Sequence, residues 1–145
     1  MKVTFCGSSQ LMNRSAVEKW LHELLTDLIQ AGADEFYLGG YGAYDLLAAR
    51  VIQALKKDFP CIRSILVLPY LNHRYTKELY DETVYPELER VPKPLAIVRR
   101  NEWMINEADL VVCCVEYCGR ASKTMEYAIR RKKEILCFPE GWEAR

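Results

Sequence analysis

The sequence predicts a single α/β domain over residues 1–145, built on a mostly parallel sheet with helices on both faces. Two observations carry the prediction. Short runs that are apolar almost throughout alternate with longer stretches whose apolar residues recur every three or four positions. Loops rich in glycine and serine follow the first two of those runs, and a third such loop leads into the last helical stretch.

The first strand is expected at Val3 to Cys6, and the turn-like Gly7, Ser8 and Ser9 follow it. Ala16, Val17, Trp20, Leu21, Leu24, Leu25, Leu28 and Ile29 then fall on one helical stripe that stops at Gly32, a common helix terminator. Glu35 to Leu38 reads as a second strand and Gly39 to Gly42 as a tight loop. Leu47, Val51, Ile52 and Leu55 form the inward face of a second helix. Ser64 to Leu68 is a third strand, closed by Pro69. A helix around Asn101 to Glu107, a strand at Leu110 to Val115, a helix at about Lys123 to Arg131 and a strand at Ile135 to Phe138 complete the pattern. Strands apolar on both faces need cover on both faces, which is the requirement of a parallel, Rossmann-like sheet.

Pro69 to Leu95 interrupts the alternation with Pro69, Pro86, Pro92 and Pro94, and it carries Tyr70, Tyr75, Tyr80 and Tyr85. A five-residue step does not keep to one helical face. The segment is therefore expected to be an irregular crossover packed on the sheet edge, with a base-stacking lid as the alternative.

Composition narrows the function. Twenty basic and twenty acidic side chains cancel, so bulk electrostatics give no grip on a nucleic-acid backbone, and no nucleic-acid partner is expected. The longest apolar run, Leu110 to Val115, is far below the ~20 residues of a membrane span. The N-terminus has no basic stretch followed by an apolar one, so a cytoplasmic protein without a membrane partner is expected. Cys6, Cys113, Cys114 and Cys137 lie in apolar runs and are expected to be buried as small hydrophobes, while Cys118 sits by a loop. With no CxxC pair, and His22 and His73 as the two histidines, neither a metal site nor a cofactor is expected.

In an open parallel sheet, ligands bind beyond the carboxyl ends of the strands. Gly7, Ser8 and Ser9 fall there, as do Gly39, Gly40 and Gly42 and the loop running from Cys118 through Gly119, Arg120, Ser122 and Lys123 to Thr124. Glycine lets backbone N–H groups approach a phosphate, hydroxyls donate to its oxygens, and Lys123 and Arg120 neutralise its charge. A side chain placed at Gly40 would fill the space of that approach. Asp45, in the first turn of the second helix, can bond a ribose hydroxyl or interact with the helix dipole. Arg100 and Glu126 complete the set of candidates. The expected partner is a nucleotide-derived small molecule.

The order of motifs resembles the SLOG superfamily, which includes the Smf/DprA DNA-processing proteins and the Lonely-guy phosphoribohydrolases, and especially its small YpsA/YoqJ-like bacterial and phage branch. VTFCGSS at the start, GADEFYLGGYGAYD at Gly32 to Asp45, ILVLPY at Ile65 to Tyr70, RRNEWM at Arg99 to Met104 and GRASKTMEYA at Gly119 to Ala128 carry the resemblance, which spans nearly the whole chain. It implies a Rossmann-like fold, a nucleotide-derived ligand and a homodimer. Gly119-Arg120 stands where relatives often have two glycines, and Ser8 where the branch usually has histidine. Arg100 fits the Lonely-guy arginine, whereas three residues after Thr124 stands Tyr127, with the carboxylate at Glu126. Sensing or sequestration of the ligand is thus the expected role. N-glycosidic hydrolysis by Glu126 or Asp45 with Arg100 is the alternative, and single-strand DNA binding a further one.

Overall fold

The computed structural model describes residues 1–114 and 120–139, with side chains in the last helix described from residue 123 onward. Among the described residues, six strands form one parallel sheet. In chain order they are β1 (Lys2–Gly7), β2 (Glu35–Leu38), β3 (Arg63–Val67), β4 (Glu82–Val84), β5 (Leu110–Cys114) and β6 (Glu134–Cys137), and their spatial order is β4-β3-β2-β1-β5-β6. The chain builds outward from β1 to β4, then returns to lay β5 on the other side of β1. That reversal creates a crevice at the carboxyl ends of β1 and β5, where α/β sheets of this order hold their ligands.

Helices α1 (Arg14–Gln30) and α2 (Ala43–Leu55) pack together on one face, and α3 (Lys93–Glu107) and α4 (Arg120–Arg130) on the other. Side chains alternate across the sheet as the strand period demands. Val3 and Phe5 join Phe36, Leu38, Leu110, Val112 and the stripe of α1 and α2 in the larger core, while Cys6, Val111 and Cys113 meet Ile105 and Ala128 on the opposite face. Tyr37, Ile65 and Val67 pack with Met104 there. No helix among the described residues is long and apolar enough to cross a membrane.

Three expectations need correction. The helix expected at Asn101 begins at Lys93, because Pro92 is its N-cap and Pro94 lies in its first turn, where proline's missing N–H costs nothing. The Pro69 to Leu95 segment contains a strand: β4 pairs in parallel with β3, Ile65 opposite Glu82 and Val67 opposite Val84. Three edge residues, Glu82 and Thr83 exposed and Val84 partly buried, show too little alternation to announce a strand. Cys6, Cys113 and Cys114 are buried as expected, but Cys137 is exposed because β6 is the other edge. Cys118 lies outside the described residues.

Asp81 fastens the inserted strand to the sheet. Its carboxylate accepts from the Ser64 backbone N–H at 2.8 Å and from Lys56 Nζ at 2.5 Å, while its own N–H donates to the Ser64 carbonyl at 3.0 Å. Burial opposes the charge, but Lys56 and Ser64 hold this carboxyl below the usual carboxylate range.

Candidate functional site

Tyr44, in the first turn of α2, forms the floor of the crevice. Its ring lies against Gly7, so close that a Cβ built on Gly7 would stand 1.9 Å from Tyr44 Cδ2, and its hydroxyl donates to the Val112 carbonyl of β5 at 3.0 Å. Gly7 is therefore glycine because α2 must pass close to the end of β1. Burial pushes the Tyr44 phenol well up, which keeps it a donor.

Above this floor the loops after β1 and β2 bond to each other. Ser8 donates its N–H to the Cys114 carbonyl at 3.0 Å, and the Ser9 and Ser8 carbonyls accept from Ala43 and Tyr44, the first two N–H groups of α2, at 2.9 and 3.4 Å. Gly42 is the N-cap of that helix. Ser8 is buried and Ser9 exposed. Backbone N–H groups of these loops are expected to approach a phosphate, yet those of Ser8, Ala43 and Tyr44 have partners within the chain.

Gly40 is held the same way. Its N–H donates to Asp45 Oδ2, a contact between residues five apart that folds the loop over the start of α2. The backbone there has φ +74°, and a Cβ would meet Leu66 Cδ1 at 2.7 Å and the Tyr80 hydroxyl at 3.5 Å. Leu66 and Tyr80, rather than open space, lie where a side chain at Gly40 would go. Asp45 is the anion of this loop. Burial pushes its carboxyl up to about 6, against the downward pull of Arg100 and of the Gly40, Gly39 and Tyr41 N–H groups.

Arg100 reaches the same place from α3 on the other face. It is 3 % exposed, and its Nη1 donates to the Gly39 carbonyl at 2.7 Å and the Val67 carbonyl at 3.2 Å, with Nε on Asn101 Oδ1 at 2.9 Å. Val67 ends β3 and Gly39 follows the last residue of β2, and one guanidinium nitrogen satisfies both carbonyls. Arg100 thus supports the loop from beneath.

The insert supplies two residues, Tyr80, one of its four expected tyrosines, and His73, that the strand-end loops do not include. The Tyr80 hydroxyl and His73 Nε2 are buried, and neither has a hydrogen-bond partner among the described residues. Both lie within the influence of Arg100, and Tyr80 also within that of Asp45. Tyr75 meets the Tyr80 ring edge-on at 6.4 Å, Tyr70 meets His73 at 5.4 Å, and Lys93 Nζ sits 4.9 Å over the Tyr70 ring. The cluster of tyrosines around a histidine was the available sequence signal, and the irregular backbone concealed its place in space.

On the far side of the crevice, α4 begins at Arg120, earlier than the expected Lys123, so Ser122, Lys123 and Thr124 belong to its first turns. Lys123 is exposed and Thr124 partly buried. Glu126 lies in the second turn and is exposed. Gly119 lies outside the described residues, as do the side chains of Arg120 and Ser122. Among the described residues no group of three or more histidine, cysteine or acidic side chains is placed to hold a metal ion.

No family model matches the chain, and no curated protein matches its sequence. Solved structures do resemble it. TM1055, a structural genomics target, is 18 % identical with a TM-score of 0.64 over 92 % of this chain and 71 % of its own. The molybdenum cofactor carrier protein of Chlamydomonas reinhardtii is 14 % identical with a TM-score of 0.65 over 94 % of this chain and 74 % of its own. At these identities the likeness establishes a shared Rossmann-like fold.

Proposed function

We propose that this chain binds a nucleotide or nucleotide-derived, phosphate-bearing small molecule at the carboxyl edge of its sheet and acts as a sensor or sequestering protein. The observation that carries the reading is that two ionisable groups, the partly buried Asp45 carboxyl and the buried Arg100 guanidinium, are both bonded to the backbone of the Gly39–Gly42 loop. Desolvating two ionisable groups at a sheet edge costs stability that an apolar pair would not, and such groups concentrate at functional sites. The ligand-binding set is Gly7, Ser8, Ser9, Gly39, Gly40, Gly42, Asp45, Arg100, Gly119, Arg120, Ser122, Lys123 and Thr124. Gly7, Gly39, Gly40, Gly42 and Arg100 shape the crevice, and the start of α4 with Lys123 receives the phosphate.

The structural likeness to a carrier of a small molecule supports this reading, as does the motif order shared with the SLOG superfamily. On the same reading the protein is a cytoplasmic homodimer without a nucleic-acid or membrane partner. The hydrolase alternative draws on one observation, a carboxyl at Asp45 that exchanges its proton near pH 6, within the useful range for general acid or base catalysis.

Mass spectrometry of small molecules released from the purified protein, with a thermal-shift panel of mono-, di- and cyclic nucleotides, tests the proposal. A ligand selective for the folded state adds about 2.7 kcal/mol at one hundred times its dissociation constant. Recovery of intact nucleotide supports sequestration. Free base with ribose phosphate, formed catalytically, would move the assignment to the hydrolase, and a flat panel on folded, ligand-free protein would overturn nucleotide binding.

A further inference from the structure

We infer that Tyr80 and His73 are ligand-binding residues, and that the Pro69 to Leu95 insert holds the uncharged, heterocyclic part of the ligand through them. The inference rests on the nucleotide reading above and goes beyond the strand-end loops. Its basis is the pair of buried polar atoms, the Tyr80 hydroxyl and His73 Nε2, that have no partner among the described residues. Burying a polar group unsatisfied costs about 1–3 kcal/mol, and folded proteins rarely carry such groups without a use for them. Here two occur in one short insert, one of them 3.5 Å from where a Cβ on Gly40 would stand.

Their surroundings define what they can bind. The Tyr80 hydroxyl lies over Gly40, 3.5 Å from where a Cβ would be, so it borders the glycine loop itself. Burial and the nearby Asp45 carboxyl keep the phenol protonated, while burial and Arg100 keep the imidazole neutral. Asp45 and Arg100 balance each other's charge at the same spot. The complementary group is therefore neutral, with hydrogen-bonding atoms at its edge, and a purine or pyrimidine edge has that chemistry. Edge-on contacts with Tyr75 and Tyr70 fix the two rings in place before binding, which limits the entropy lost on association.

Tyr80→Phe and His73→Phe keep the rings and remove the polar atoms. Titration calorimetry with AMP, GMP, CMP and UMP, each beside ribose 5-phosphate, gives the readout. For the nucleotide that binds best, either variant should weaken binding about 3- to 10-fold, the worth of one neutral hydrogen bond, and leave ribose 5-phosphate unchanged. The melting temperature of Tyr80→Phe should hold or rise, since an unsatisfied hydroxyl leaves the interior, whereas a purely structural hydroxyl would lower it. Nucleotide affinity unchanged in both variants, or an equal loss for ribose 5-phosphate, would overturn the inference while the nucleotide reading stands. Failure of the unaltered protein to bind any of the nucleotides would overturn both.

Discussion

Replacing Asp45 by asparagine should change how stability depends on pH, in a direction set by competition within the loop. Burial opposes the carboxylate, while three backbone N–H groups and the Arg100 guanidinium favour it, and the balance lifts the carboxyl from its ordinary 3.8 to about 6. In the unfolded chain it returns to the ordinary value. Between those two pH values the folded protein holds a proton that the unfolded chain has released, so stability falls as pH rises. The contribution is fully present below pH 3.8 and is lost through pH 6. At about 1.4 kcal/mol per pH unit, the difference amounts to about 3 kcal/mol. Asparagine keeps an oxygen for the Gly40 N–H but does not titrate, so subtracting its curve removes every other group's contribution. Urea melts of both proteins from pH 3.5 to 7.5 should show the unaltered protein losing about 2–3 kcal/mol relative to Asp45→Asn. A flat difference would refute the claim that burial dominates. A difference that grows with pH would mean that the amides and Arg100 outweigh it.

Gly7→Ala should destabilise the fold by more than about 3 kcal/mol in a denaturant melt, because the new methyl overlaps the Tyr44 ring and the backbone of β1 cannot move aside. Asp81→Ala should cost about 1–3 kcal/mol and raise amide exchange across Glu82–Val84, leaving exchange in β1 and β5 unchanged; uniform loosening would show that the insert is not a separable unit. Brief alkylation of the folded protein, mapped by peptide, should label Cys61 and spare Cys6, Cys113 and Cys114. Neighbouring Cys6 and burial together push the Cys113 thiol far up, so its labelling at the rate of Cys61 would contradict the packed sheet.

Most of the sheet was legible because parallel strands bury both faces and so read as unbroken apolar runs. Phe36 to Leu38 and Leu110 to Cys114 are examples, and each is almost wholly buried. The helix stripes of α1 and α2 were equally clear. Sequence patterning failed where the chain is neither fully buried nor periodic. β4 is held by Asp81 and Ser64 with Val84 as its one partly buried apolar side chain, and α3 begins at prolines that resemble a break. The site was legible as a location, and its internal pairings were not. No spacing rule announces that Asp45 folds back onto Gly40, that the Ser8 and Ser9 carbonyls accept from α2, or that an arginine seven residues into α3 passes beneath Gly39. Those pairings decide which backbone donors have already been used.

They also set the orientation of the proposed ligand. With Asp45 occupying the Gly40 N–H, a phosphate placed at that loop would face a carboxylate that is ionised at neutral pH. Arg100 on the neighbouring Gly39 carbonyl offsets that charge, so the loop offers a phosphate neither the Gly40 donor nor a net positive charge. At the start of α4 the helix dipole and the exposed Lys123 both favour an anion. On the proposed function, the phosphate is placed toward the start of α4, with the uncharged half toward β3 and the insert. Lys123→Gln should then weaken nucleotide and ribose 5-phosphate binding alike, by about 3- to 10-fold and with a reduced salt dependence. The lysine is exposed, so its removal should leave the melting temperature within a degree or two. Calorimetric titrations at two ionic strengths give the measurement. A variant that lost nucleotide affinity but kept that for ribose 5-phosphate would reverse the proposed orientation.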